Sequence, residues 1–395
     1  MPNVPPCPVC QGGGARCFFS QHQVPVQCGY LAPTRDAALH SPLGDITLHH
    51  CPGCGHVWNS SFDPDRMGFD PAYDFSQYHS PSYRAYVEGA IQRLIRRYDL
   101  GGKTALDIAC GKGDFLRLLV AGGMARAIGF DPTFVDSSLT AADRERITVH
   151  RKFYDSSERS LHPALVTCRS ALQYIPDPRT FLLGVREALA DDPQTILCFE
   201  VPNGAEPFLE RVVWYVMYEA GCFFSAASLA RLFRDCGFQV LDVLPALGGS
   251  HLEIEARPAA SPTPSPEESG ARLSRLADEV EAFPAEYTRQ VEKWSRRFGE
   301  FDQRRQSVAL WGGGMRAVSL LVNVPAAAAA VQHVVDVNPA RQGRYLPKTG
   351  QRVISPAELA DLRPDVVIAT NPHYAAEIRE QVAALGLAPE FDVLG

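Results

Sequence analysis

The run Thr104-Ala-Leu-Asp-Ile-Ala-Cys-Gly-Lys-Gly-Asp-Phe115 constrains this chain more than any other stretch, because an apolar segment breaks there at a Gly-Lys-Gly turn that opens a helix. A strand feeding such a turn brings bare backbone N–H groups against a ligand, since only glycine lets the chain bend and a partner approach so closely. The next apolar run, Ala127 to Phe130, ends in Asp131. That carboxylate stands about twenty residues past the turn, where the second strand of a doubly wound sheet holds an acid against ribose hydroxyls. A dinucleotide fingerprint needs Gly or Ala at position 116, and Leu116 is there instead. The turn reads as a cofactor cradle.

The cysteines carry a second signal. Six of the eleven fall before residue 55, and the other five, at 110, 168, 198, 222 and 236, lie inside apolar runs as small core residues. Cys7-Pro-Val-Cys10 and Cys51-Pro-Gly-Cys54-Gly55 are two Cys-x-x-Cys knuckles, and each can present two thiolates to one tetrahedral Zn2+. Loop-closure entropy grows only logarithmically, so metal ligation readily offsets closing the long loop between them. Cys7, Cys10, Cys51 and Cys54 are therefore the expected ligands of a structural zinc, with Cys17, Cys28, His49 and His50 as bystanders.

At 395 residues the chain is longer than one core usually supports, and two or three domains are expected. The net charge of −7 and the absence of a Lys/Arg track argue against nucleic acid as a partner. Neither a membrane span nor a secretory signal is indicated, which makes the cytoplasm the expected location. Residues 1–70 read as the zinc-binding module. Alternating strands and helices over 71–258, from the entry helix Ser82 to Tyr98 through strands ending near Ala256, imply a parallel sheet with helices on both faces. The Pro-rich run Arg257 to Ser269 breaks the pattern and begins a linker and amphipathic helix over 259–305. The α/β pattern restarts over 306–395 as a second, smaller Rossmann-like domain. Its turn Gly312-Gly-Gly-Met-Arg-Ala317, followed by Asp336, meets the dinucleotide fingerprint better than the first turn does. By itself it suggests NAD. After a complete cofactor domain, the same helix N-terminus can instead take the phosphates of a substrate, or the turn can serve chain geometry alone.

The first turn, with Asp107 in the strand before it, resembles motif I of the S-adenosylmethionine (SAM) dependent class I methyltransferases. The three parts in order resemble the deoxysugar C-methyltransferases that act on nucleotide-linked 4-ketosugars. Tyr78-His-Ser80, Ser170 to Asp177, Glu200-Val-Pro-Asn203, Gly248-Gly-Ser250 and the block Asp336 to Pro347 are similar to that family's segments. The resemblance implies an α/β fold: a class I SAM methyltransferase sheet, an N-terminal zinc module, and a C-terminal Rossmann-like substrate-binding domain. It implies SAM contacts by Asp107, Gly111, Gly113 and Asp131, with Phe153 and Ser170 lining the adenine and methionine ends. The implied reaction removes a proton alpha to a ketone and transfers the methyl in line to the resulting carbanion.

One position departs from the family. Its members carry Tyr-Glu-His where this chain has Tyr218-Glu-Ala-Gly221, so Ala220 stands in place of the histidine base. Three readings follow. Glu219, Tyr78 or His79 moves the proton, with Tyr218 or Tyr78 as donor to the enolate oxygen; the substrate is already nucleophilic; or the protein no longer methylates carbon. Glu219 is favoured, because an apolar setting raises a carboxyl pKa toward neutrality. His251, entering a strand beside the Gly-Gly turn, is a further candidate base, though a lone histidine there is more often structural. The alternatives to a C-methyltransferase are a SAM enzyme of natural-product biosynthesis with altered chemistry, at N or O or without methyl transfer, and a non-catalytic SAM-binding homologue.

Overall fold

The computed structural model describes residues 5–68, 76–260 and 270–395. The expected boundary at 70/71, the start of the aromatic segment at 73–75 and positions 261–269 of the Pro-rich run lie outside the described residues.

The N-terminal part is an antiparallel sheet of β1 (Arg16–Pro25), β2 (Leu43–His50) and β3 (Val57–Asn59). Its fourth strand comes from far down the chain: Cys222–Phe223, β9 in chain order, pairs with β3. β9 runs so close to Gly204 that a Cβ there would stand 2.2 Å from the Phe223 carbonyl carbon, which only glycine avoids.

The central sheet contains the parallel strands β4 (Thr104–Ile108), β5 (Arg126–Phe130), β6 (Ile147–His150), β7 (Leu165–Arg169) and β8 (Ile196–Pro202). The antiparallel β10 (Phe238–Ala246) and β11 (His251–Pro258) complete it in the order β10-β11-β8-β7-β4-β5-β6. With β11 between β8 and β10, this is the class I methyltransferase sheet. The expected entry helix runs over Pro81–Tyr98, begun by the Ser80 side chain capping Tyr83 N–H and by Pro81 in the first turn.

A helix spanning Gly270–Gln303 leads to a second, wholly parallel sheet. Its strands are β12 (Val308–Trp311), β13 (Val331–Val335), β14 (Arg352–Ile354), β15 (Val366–Ala369) and β16 (Glu390–Val393), ordered β14-β13-β12-β15-β16. Strand order reverses beside β12, so the crevice between β12 and β15 is the switch point where such sheets bind ligands. The Ala-rich run forms the short helix Pro325–Ala330.

The three sheets are packed as one body. One buried cluster joins Ile46 and Leu48 of β2, Trp214, the long helix's Phe283 and Trp294, and Val318 and Leu321 behind β12, and a second joins Trp58 of β3 to Leu106, Val166 and Phe199 of the central sheet. The N-terminal part is also strapped to the last sheet by paired backbone bonds between Ala32 and Tyr345, 3.0 and 2.9 Å. Among the described residues no helix is long and apolar enough to cross a membrane.

Candidate active site

The Gly-Lys-Gly turn leaves β4 in left-handed backbone: Ala109, Gly111 and Gly113 have φ of 58°, 54° and 81°. Ser170, just past β7, is also left-handed at φ 51°. Ala109 and Ser170 are non-glycine residues in a costly region, and such strain gathers where a site demands it. Among the described residues a Cβ on Gly111 would meet nothing within 4 Å, which leaves room over the cradle. Asp131 braces the turn from β5: one carboxylate oxygen accepts Gly111 N–H at 2.9 Å, and the other accepts Thr133 N–H and Oγ1 at 2.8 and 2.7 Å. Asp107 is sealed beneath the turn, accepting Thr167 Oγ1 at 2.6 Å, and burial pushes its carboxyl up to about 7. Room over the backbone and two carboxylates beside it suit a cofactor with a ribose and an amino-acid end.

Beyond the turn, a row of ionisable side chains crosses the sheet. Arg169 pairs with the buried Glu200 at 2.9 Å and lies over the Phe115 ring, 4.7 Å from its centroid. Tyr86 donates to the other Glu200 oxygen at 2.5 Å. Tyr78 stacks edge-on against Tyr83 at 5.2 Å beside Arg169, and burial raises its phenol well above the ordinary value. Tyr78 therefore sits at this end of the cleft, while His79 is exposed on the outside.

Other expected residues lie elsewhere. Phe153 is 76% exposed, and its ring projects into solvent. Tyr218 is turned toward the N-terminal part: its hydroxyl accepts Asp63 N–H at 2.9 Å, and its ring packs against the backbone of Gly44. Glu219 is fully buried and accepts N–H bonds from Cys28, at 3.1 Å, and from Gly29. Burial raises its carboxyl to about 7, against the pull of those bonds and of Arg341. Arg341 in turn donates to Gly313 O at 2.7 Å and pairs with Asp336 at 3.1 Å. Glu219 thus fastens the N-terminal loop beside the second glycine turn, and no bond links it to the first. Asp336, the acid of the dinucleotide fingerprint, is occupied by Gly313 N–H, Asn338 N–H and Arg341. His251 is buried, its Nδ1 3.0 Å from Ser250 Oγ.

The carboxyl edges of the two parallel sheets meet. Glu206, shortly after β8, reaches Arg316 in the first turn of the helix Met315–Asn323 at 3.3 Å, and both are buried. His373, past β15, approaches the same Glu206 oxygen at 3.6 Å, and Tyr374 Oη donates to Gln77 at 2.7 Å. Tyr215 completes the wall beneath the Arg316 guanidinium, 5.1 Å from its ring centroid. Sequence position alone did not single out Glu206, Tyr215, Arg316 or His373. The available signal was placement: Arg316 opens the helix after a glycine turn, and His373 follows a strand at the switch point.

The four thiols meet as well. Cys7, Cys10, Cys51 and Cys54 place their sulfurs within 4.8 Å of one another, with Cys7 and Cys54, and Cys10 and Cys51, 3.6 Å apart. Tetrahedral ligation at the usual Zn–S length puts sulfurs about 3.8 Å apart, so the set fits zinc. Both knuckles need left-handed backbone after their second cysteine; Gly55 supplies it at φ 68°, and Gln11 takes it under strain at φ 57°.

This architecture is a methyltransferase domain with a second α/β lobe over its cofactor end. Residues 83–243 match the family model of a methyltransferase domain, and residues 265–387 match the C-methyltransferase C-terminal domain. The chain is similar to the C-methyltransferase NovU of Streptomyces niveus, 26% identical over 293 residues, which cover 70% of this chain and 68% of NovU. It is a SAM-dependent methyltransferase that carries a C-methyltransferase C-terminal domain. Two solved structures show weak likeness. A SAM-dependent methyltransferase from Mesorhizobium loti is 19% identical with TM-score 0.32, covering 43% of this chain and 99% of that one. The magnesium protoporphyrin IX methyltransferase from Synechocystis is 15% identical with TM-score 0.35, covering 47% and 88%. The fold assignment rests on the strand order.

Proposed function

We propose that this methyltransferase acts on a carbon adjacent to a ketone, in a small molecule of the nucleotide-linked sugar class. One observation supports the reading: Glu206, after the central sheet's β8, and Arg316, after the second glycine turn, form a buried pair that brings the carboxyl ends of the two sets of parallel strands together. Bound at the first turn, SAM supplies an electrophilic methyl group. Gly111 and Gly113 would receive it on bare backbone, Asp131 would hold the ribose, and Asp107 and Ser170 would face the amino-acid end. Phe153 would close over the adenine only on ligand binding, since its ring now projects outward.

At the second turn the helix Met315–Asn323 presents its N-terminus, and Arg316 keeps its Nε and Nη1 buried without partners. A diphosphate suits both the helix end and the guanidinium. With Asp336 already committed to Arg341, a hydride-transferring dinucleotide is the poorer occupant of this turn. Four thiols at ligand spacing, three of them buried, support a structural zinc in the N-terminal part.

The test is calorimetric titration of protein saturated with S-adenosylhomocysteine, using thymidine diphosphate. One-to-one binding supports the nucleotide-sugar assignment. Absence of binding removes it and leaves a C-methyltransferase with another acceptor.

A further inference from the structure

Carbon methylation alpha to a ketone needs a proton acceptor, and Ala220 cannot be one. Glu219 beside it is held by two backbone N–H groups at the junction of the N-terminal loop and the second glycine turn, with its other oxygen sealed from solvent. A different histidine does enter the cleft. His373 sits in the turn Asn371-Pro-His-Tyr374 at the carboxyl end of β15, with its backbone N–H fixed by Asn371 Oδ1 at 3.1 Å. Its Nε2 faces Glu206 Oε1 at 3.6 Å, and Arg316 holds that same oxygen at 3.3 Å. Its Nδ1 edge lies against Gly248, where a Cβ would stand only 3.1 Å away, so the glycine makes room for the imidazole there. The imidazole is 24% exposed, which gives a proton a way out to water.

We propose that His373, oriented by Glu206, takes the substrate proton in place of the histidine absent at position 220. This rests on the C-methyl-transfer reading above. With its proton on Nε2, toward the Glu206 carboxylate 3.6 Å away, the imidazole carries its lone pair on Nδ1. The alpha C–H bond breaks with its electron pair retained by the substrate as an enolate, Nδ1 gains the proton, and the imidazolium later releases it to solvent. Tyr215, whose ring lies under the Arg316 guanidinium, stands on the same wall, where a donor to the enolate oxygen is needed. The arrangement also explains why the C-terminal lobe must close on the cofactor domain: the base and the residue that orients it come from different lobes. The other titratable groups facing the imidazole are His251, whose own charge is disfavoured by burial, Glu200 and Arg169 behind it, and Tyr374 next in the chain.

The test separates proton removal from methyl transfer. Full-length protein saturated with S-adenosylhomocysteine is incubated in D2O with thymidine diphosphate 4-keto-6-deoxyglucose, and loss of the protons flanking the ketone is followed by NMR. The wild type is expected to exchange them, and His373→Asn to be about 100-fold slower while binding S-adenosylhomocysteine normally. His373→Asn exchanging at the wild-type rate, or a loss confined to Glu219→Gln, overturns the proposal. So does a probe that calorimetry shows bound and that the wild type leaves unexchanged.

A second measurement needs no acceptor. In the ligand-free protein the neutral His373 imidazole is read by long-range 1H–15N NMR: its proton is expected on Nε2, the nitrogen that faces Glu206, and a proton on Nδ1 overturns the dyad. A probe that fails to bind counts against the nucleotide-sugar reading, and the imidazole tautomer then decides the dyad by itself.

Discussion

Arg316 and Glu206, 110 residues apart in sequence, form an ion pair at 3.3 Å with only 4% and 8% of their side chains exposed, and they join the two lobes. A charge so deeply buried tolerates its partner's loss badly, because the remaining group has no water to replace it. Arg316→Met is expected to cost about 3–5 kcal/mol of stability, read by urea unfolding. Arg316→Met combined with Glu206→Met should recover most of the loss. Additive losses in the double variant would show that the pair is not coupled.

The zinc part of the account reaches beyond the N-terminal sheet. β3 follows directly on the second knuckle and pairs with β9, and Asn59 N–H donates to Gly221 O at 3.0 Å. One zinc per chain is expected by elemental analysis of the wild type and none in Cys51→Ser with Cys54→Ser. Removing the metal should then speed amide exchange at Cys222 and Phe223 as well as near the knuckles, while S-adenosylhomocysteine binding persists. Unchanged exchange at β9 would confine the metal's influence to the knuckles.

Much of this was legible in the sequence because the signals were local. Two Cys-x-x-Cys knuckles, a glycine turn after an apolar strand, and a second α/β pattern after a Pro-rich run each depend on residues a few positions apart. The unread features depend on distant partners. β9 is two residues long and belongs to a sheet whose other strands lie more than 160 residues earlier, so no periodicity marks it. Tyr218 and Glu219 stand in a segment that resembles a catalytic motif, yet their partners are Asp63 and Cys28, which only the tertiary structure brings near. His373 carries no motif at all, and its place in the cleft depends on Glu206 reaching it from the other lobe.

Asp131 tests the cofactor cradle. Its carboxylate already braces Gly111 N–H at 2.9 Å, so removing it affects both the turn and the ribose contact proposed for it. Asp131→Ala is expected to weaken S-adenosylhomocysteine binding by about 1–3 kcal/mol, measured by calorimetry. Unchanged affinity would move the ribose ligand elsewhere.

Glu219 makes stability depend on pH with a defined sign. Burial raises its folded-state pKa from 4.5 to about 7, so the folded protein binds the proton more tightly than the unfolded chain does. The stabilisation is full below the unfolded pKa and is lost as pH rises through about 7. Glu219→Gln should remove this loss, gaining up to about 3 kcal/mol on the wild type between acid and mildly alkaline pH. Asp107 is shifted in the same direction and will leave a residual slope. Parallel pH profiles for the two proteins would show that the carboxyl titrates normally.

The central claim is that a new carbon–carbon bond forms in the cleft between the two lobes. The direct measurement is incubation of the protein with SAM labelled with 13C in its methyl group and thymidine diphosphate 4-keto-6-deoxyglucose, followed by two-dimensional NMR of the product. The account predicts a labelled methyl bonded to a ring carbon adjacent to the ketone. A label on oxygen or nitrogen, or none on a sugar that calorimetry shows to be bound, would contradict it.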